Sequence, residues 1–306
     1  MKILKIMVWI FFLTNSIFAK DDSNIPKNMA LSDLDIDTSR SGWHLELKRI
    51  SLNFSSSSLK NQNIYKNFSN NYIKGNSQIV GQAFLDFNAN YYAKRFVIFN
   101  SLLAEYGRNI IYPQDEPKID NKTLDRILLS SDYTQRIWKF TDILGGFELG
   151  PYVQLGYQTE FTPQVGFNRR KILRFSTGFK IFEGTYIKNL HLNLFGEEDF
   201  TYQKPVESLG IQTGFHIQHD IQDNVKLTYL LNFRDFLLNN YKPSHNPQYE
   251  LELEVRMDTK IYKNFAIAPF VSFYMLKGRY FKQVGTNLFI GVSVSYNQIF
   301  IDASKK

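Results

Sequence analysis

From Tyr249 to Asp258 the chain alternates without a break. Tyr249, Leu251, Leu253, Val255 and Met257 take one set of positions, and Glu250, Glu252, Glu254, Arg256 and Asp258 take the other. Successive side chains of a β-strand point to opposite faces, so this segment is a strand with one apolar and one charged face. The same period of two predicts strands near Ile50–Phe54, Ile79–Tyr91, Leu124–Tyr133, Phe147–Tyr157, Leu173–Ile181, Leu190–Leu194, Leu209–Ile217, Val225–Phe233 and Leu288–Tyr296. Phe96–Tyr106 and Phe265–Met275 have strand composition but are apolar on both faces, which leaves the facing of Phe96–Tyr106 open. Pro151 stands inside one of these segments, where a residue that cannot donate to a ladder calls for a bulge or a strand end.

The connections follow a second rhythm. Tyr92–Arg95, Glu183–Thr185, Asp220–Asn224 and Lys260–Asn264 are tight turns, and between them fall longer polar stretches at Ser55–Ser77, Gly107–Lys122, Glu197–Pro205 and Leu238–Pro247. Gln135–Gly145 is the one connection too long for the short side. Ser55–Ser58, with Asn61, Asn63, Asn67, Asn70 and Asn71, reads as a flexible exposed loop. Short turns at one end and long loops at the other are the habit of membrane barrels, whereas Greek-key sandwiches have no reason to alternate this way. The fold class that follows is all-β: a transmembrane antiparallel up-and-down barrel of about twelve strands. With register set by a tight loop near Tyr241, Arg234 would oppose Glu250 and Lys226 would oppose Asp258.

The start of the chain agrees with export. Lys2 and Lys5 precede an apolar run from Ile6 to Leu13 and a small residue at Ala19, the grammar of a cleaved signal segment too short to span a bilayer. The expected division is a signal segment over 1–19, a mobile acidic periplasmic leader over 20–44, the barrel over 45–300 and a tail over 301–306. Losing Lys2 and Lys5 lowers the net charge from +7 to about +5. No basic cluster interleaved with aromatics marks a nucleic-acid partner. Mean hydropathy is −0.29, as expected where only alternate residues meet lipid. With no cysteine, thiolate catalysis and thiolate metal sites are excluded. Aromatics make up 16% of the chain, with 27 Phe and 18 Tyr, enough for girdles at both lipid–water interfaces. The expected setting is the bacterial outer membrane after Sec-type export. Expected partners are outer-membrane lipid, lipopolysaccharide and the barrel-assembly machinery, to which an aromatic-ended last strand, Tyr296–Phe300, would be presented.

Three stretches, Gly81-Gln-Ala-Phe-Leu-Asp-Phe-Asn-Ala-Asn-Tyr91, Asn100-Ser-Leu-Leu-Ala-Glu-Tyr-Gly107 and Ile290-Gly-Val-Ser-Val-Ser-Tyr296, together resemble a family of uncharacterised Gram-negative outer-membrane barrel proteins grouped as a domain of unknown function. In that family a GNAxLNLxANY strand leads into a tryptophan-containing strand, whose tryptophans are Phe96 and Ile98 here. The similarity spans roughly Ser77 to Phe300. It implies the fold and brings no catalytic residues.

In a barrel the polar faces point inward. The candidate lumen-lining residues are Asp86, Asn88, Glu148, Gln154, Arg174, Lys180, His191, Gln212, His216, Lys226, Arg234, Glu250, Glu252, Glu254, Arg256 and Asp258. Eight strands leave a lumen filled by side chains and sixteen leave an aqueous channel; twelve lies between. The first functional expectation is a narrow channel or passive transporter for small hydrophilic solutes. The alternatives are a plugged structural or adhesion barrel acting through its loops, and an outer-membrane lipid hydrolase built on His191 and His216. The strand Leu190-His-Leu-Asn-Leu-Phe195 does not carry the Asn-His-x-Ser-Asn-Gly signature of such hydrolases. No catalytic residue, metal site or cofactor is assigned, and Glu197-Glu-Asp199 is a loop candidate for a divalent ion or lipopolysaccharide bridge.

Overall fold

A computed structural model describes residues 41–65, 68, 72, 79–111, 119–163 and 168–303. The expected signal segment, most of the leader, residues 112–118 and the last three residues lie outside that range. The strands are β1 (Gly42–Lys60), β2 (Ile79–Tyr92), β3 (Phe96–Ile111), β4 (Ile119–Gln135), β5 (Trp138–Phe140), β6 (Phe147–Thr159), β7 (Lys171–Phe182), β8 (Ile187–Asp199), β9 (Val206–Gln222), β10 (Val225–Asn239), β11 (Pro247–Tyr262), β12 (Phe265–Gly278) and β13 (Gly285–Ile301). All pairings are antiparallel between chain neighbours, and the seam closes where β1 pairs with β13. β4 and β5 pair with the same edge of β6, through Thr134 opposite Tyr152 and Trp138 opposite Leu149, so they form one stave broken at Arg136 and Ile137. The result is a closed antiparallel barrel of twelve staves. Closure matters because lipid offers the backbone no hydrogen-bond partner, so no edge can be left open.

Burial runs opposite to that of a water-soluble protein. Along β1, Leu52 and Phe54 are 58% and 61% exposed, while the alternate Ser51 and Ser55 are 4% and 3%. The outward face is therefore a lipid face. Trp43, Tyr91, Phe96 and Tyr133 form a run of rings with centroids 5.3, 6.5 and 5.3 Å apart around the short-turn end, and Phe265 with Tyr296 (5.0 Å) adds to it. This is the interfacial girdle that the aromatic share implied.

Several expectations need correction. Ser55–Ser58 is the upper part of β1, paired with Gly291–Leu288 of β13, and not a loop. Its alternation is invisible in sequence because both faces carry serine. The long connection from Gln135 to Gly145 contains β5, so its true turn is 141–146, which explains its apparent length. Pro151 needs neither bulge nor strand end. It pairs in unbroken register with Phe179 on one side, and on the other it faces the break between β4 and β5, where no ladder donor is wanted. Gly150 beside it has its own reason: a Cβ there would stand 1.7 Å from the Gln135 carbonyl oxygen. The facing of β3 is settled with Val97 and Glu105 buried inside, and β12 points Ala266, Ala268, Phe270 and Tyr274 inward. β1 starts at Gly42, three residues before the expected barrel boundary. Glu197–Asp199 ends strand β8 with all three residues buried, and Glu197 binds arginine; it is not an exposed loop site.

Candidate functional site

The site is the barrel interior, built by the inward positions of every stave. At its centre Arg126 of β4 donates through Nε to Glu105 of β3 (2.7 Å) and through Nη2 reaches Glu252 of β11 (3.5 Å). β4 and β11 are six staves apart, as far as twelve staves allow, so this pair crosses the lumen. Tyr72, from the connection between β1 and β2, fills the remaining space. Its hydroxyl donates to Glu105 (2.9 Å) and approaches Glu252 (3.4 Å), its ring stacks on Tyr274 (centroids 4.7 Å), and Asn287 donates to its carbonyl (2.6 Å).

Beside this cluster, Glu197 of β8 accepts from Arg174 of β7 (2.7 Å) and lies 3.7 Å from Arg234 of β10, which binds Glu250 of β11. The predicted register holds: Arg234 opposes Glu250 and Lys226 opposes Asp258. Only the first pair forms a contact, because Asp258 takes Arg256 (2.8 Å) and the more exposed Lys226 leans to Asp220 (3.8 Å). Toward the short-turn end Lys180 of β7 donates to both oxygens of Asp132 (2.8 and 2.9 Å) and caps the Phe99 ring at 3.9 Å. Arg136, at the break in the β4–β5 stave, forms a forked pair with Glu148. Arg49 pairs with Glu254 (3.2 Å) over the Phe84 ring (3.6 Å).

Each end of the interior carries an aromatic cluster. Tyr65, Phe68, Tyr274 and Leu276, with Phe281 and Tyr72 against them, close the long-loop end; Tyr92, Val97, Phe182 and Ala303, with Phe99, close the short-turn end. At the long-loop mouth, Tyr202 stacks on His245 (5.0 Å), and the Tyr241 hydroxyl donates to Asp199 (3.0 Å). Burial, and then the neighbouring Lys242, pull the His245 imidazole below its ordinary value of 6.5. Burial first, and Asp199 second, hold the Tyr241 hydroxyl well above the usual phenol range.

The remaining sequence candidates fall around this network without joining it. Asp86 opposes Arg49, Asn88 is buried, Gln154 faces inward beside Ser176, and Gln212 donates to Asn232 (2.9 Å). His191 contacts Asn189 at 3.2 Å and sets its ring edge against Tyr152 (6.4 Å), while His216 opposes Asn189. Neither histidine has a serine hydroxyl as hydrogen-bond partner among the described residues, and no group of three metal-binding side chains occurs among them. Sequence reasoning passed over Arg49, Glu105, Arg126, Asp132 and Arg136 as site members. The alternation could have supplied Arg49, Arg126 and Asp132. Nothing marked Tyr72, which sits in a polar loop.

A closed barrel with a lipid-facing apolar belt and a charged interior defines an outer-membrane β-barrel fold. The family described as "Protein of unknown function (DUF3078)" matches residues 61–163, about a third of the chain and the part that carries the Gly81–Gly107 motifs. No curated protein matches. Among solved structures, the chain is similar to the COG4313 outer membrane channel from Pseudomonas putida F1 (11% identity, 88% of this chain and 100% of that one, TM-score 0.45). It is also similar to an active-site mutant of outer membrane phospholipase A from Escherichia coli (10%, 87% and 95%, 0.42) and to the translocator domain of autotransporter NalP from Neisseria meningitidis (10%, 85% and 90%, 0.33).

Proposed function

We propose that this protein is a plugged outer-membrane barrel, exported to that membrane, which acts through its long-loop end and not as an open pore. One observation carries the reading: Arg126 and Glu252 meet across the lumen with Tyr72 packed against both. Beside this crossing, two spaces lined in common by Arg170, Arg234 and Glu250 are each about 20 Å³, room for roughly one water. The original expectation of a standing passage for small solutes gains no support from an interior filled in this way. Planar-bilayer recordings of the refolded barrel test the reading, with a flat baseline as the expected result. Regular conductance steps from unmodified protein would dismiss it.

A second reading keeps the solute conduit as a gated one. It is favoured by the origin of the long-loop plug: Tyr65, Phe68 and Tyr72 belong to a connection and not to the wall. Under it, Tyr72→Ala yields conductance steps that the parent lacks; a silent Tyr72→Ala returns the choice to the plugged barrel. The lipid-hydrolase reading draws nothing from His191, whose ring lies against Tyr152 and Asn189 inside the barrel.

A further inference from the structure

We propose that the outer rim of the long-loop end, from the β10–β11 connection across that of β12–β13 to the top of β1, docks the phosphorylated saccharide of lipopolysaccharide. Among the described residues no carboxylate at this end of the barrel is exposed. The exposed ones, Asp142, Asp220, Asp223 and Asp302, all belong to the short-turn end. The rim instead carries Lys60, Lys242, Lys277, Arg279 and Lys282, none with a carboxylate in salt-bridge range among the described residues. Against these cations the outward face of β10 sets one half-buried carboxylate, Asp235, opposite Tyr249.

Lys277 shares the outward face of β12 with Ile267 and Val271 and pairs with Tyr249, so it stands at the upper edge of the lipid belt. Arg279 and Lys282 lie in the connection above it, and Lys242 lies in the adjoining one. Two of these cations are held in place. Lys277 donates to the carbonyls of Gly278 (3.3 Å) and Phe281. Arg279 donates to the carbonyls of Phe236 and Leu237 (3.4 Å) and to the Asn246 side-chain oxygen (3.3 Å). Neutral oxygens fix a cation without cancelling its charge, whereas the interior arginines Arg126, Arg136, Arg174 and Arg234 each face a carboxylate. Leu238 and Tyr280, each 63% exposed, supply apolar surface beside the charges. Cations that begin at the lipid edge and continue into the loops match phosphates carried on a sugar of some height. The single phosphate layer of a glycerophospholipid would meet only the level of Lys277. The inference rests on the outer-membrane placement proposed above, which turns this rim toward the outer leaflet, and not on the plug.

The test titrates the full refolded chain, in zwitterionic micelles with EDTA, with deep-rough lipopolysaccharide, with the same lipid after phosphatase treatment, or with phosphatidylglycerol. Native mass spectrometry counts the bound lipid. Saturable binding of the intact glycolipid is expected, with little of the other two at the same concentration. Lys277→Gln with Arg279→Gln and Lys282→Gln should weaken it on the order of 100-fold, about fivefold per cation. Lys94→Gln with Arg95→Gln and Lys260→Gln makes the same charge change at the short-turn end and should leave binding as it was. The proposal is overturned if no saturable binding is seen, if either comparison lipid binds as well as the intact one, or if the rim triple weakens binding no more than the short-turn triple. The lipid comparison uses unsubstituted protein and decides even where the rim triple does not fold. Absent binding with a flat bilayer baseline leaves the plugged barrel standing, while binding alongside conductance steps overturns the plug alone.

Discussion

Replacing Arg126 with methionine asks directly whether the interior is dry. The substitution keeps an unbranched apolar stem but removes the cation from Glu105 (2.7 Å), from Glu252 (3.5 Å) and from above the Tyr72 ring (5.3 Å). Two carboxylates then converge on one tyrosine hydroxyl. If the cluster is cut off from water, removing one partner of a buried ion pair costs about 3–5 kcal/mol. The Glu105 side chain is 8% exposed but that of Glu252 is 25%, which puts the expected loss at the lower end, about 3 kcal/mol. In a water-filled pore the same pair contributes only about 0.2–1 kcal/mol. The two cases differ by more than a factor of ten in the unfolding constant, well within what urea unfolding in lipid vesicles resolves. Arg126→Met together with Glu105→Gln should recover part of the loss, because the uncompensated charge is removed with its partner. A single variant within about 1 kcal/mol of the parent would mean a wet lumen and would sink the plugged-barrel reading.

Other outcomes follow from the wall and the mouth. Gly150→Val should weaken the junction of β4 with β6, since its Cβ collides with the Gln135 carbonyl, a backbone atom that cannot swing aside; loss of the heat-resistant folded band on cold gels checks it. Leu52→Arg, near the middle of β1 and 58% exposed to lipid, should cost about 2–4 kcal/mol in vesicles. Asn53→Ser, on the inward face, should cost much less; equal losses would contradict the assigned facing. His245 is held below its ordinary value when folded, so the folded protein binds fewer protons there than the unfolded chain. Its contribution is complete above pH 6.5 and is lost as pH falls through the lowered folded value, so His245→Gln should flatten the fall in stability measured by unfolding between pH 7.5 and pH 5.

How much could be read from the chain depended on whether an alternation had contrast. The Tyr249–Asp258 strand was legible down to its partner, because charge on one face and apolar residues on the other fix the register: a one-residue slip would turn Glu250 and Glu252 into lipid. Where both faces are alike the signal vanishes. Ser55–Ser58 offered no outward apolar residue to read, and Phe96–Tyr106 offered too few polar ones. Pro151 misled because the rule against proline in a ladder assumes a continuous neighbour, and the neighbouring stave is broken at Arg136. The interior network was half legible. Inward residues followed from the period of two, but which arginine meets which glutamate across the lumen is a property of the closed cross-section. Tyr72 was beyond reach, since a loop residue gains its role only once there is a lumen to enter.

The cross-section can itself be argued from the Arg126–Glu252 contact. Twelve spacings of about 4.8 Å make a circumference of about 58 Å, a circle about 18 Å across. Tilting the strands by about 40° widens that circle to about 24 Å. Six bonds from Cα to the arginine Nη and four to the glutamate Oε, at about 1.5 Å each, give at most about 9 and 6 Å even if straightened. Adding the 3.5 Å contact still falls short of the tilted circle. The barrel must therefore be flattened along the direction joining β4 to β11, and the plug is a consequence of that shape as much as of the residues filling it. The chain has no cysteine, so Arg126→Cys with Glu252→Cys gives a clean pair whose removal leaves the cluster's net charge unchanged. A short bifunctional thiol reagent should join them in folded protein within vesicles and leave a covalent loop that retards the unfolded band. If only reagents long enough to span a round barrel join them, the staves stand apart, the lumen is open at this level, and the contact that closes it is wrong.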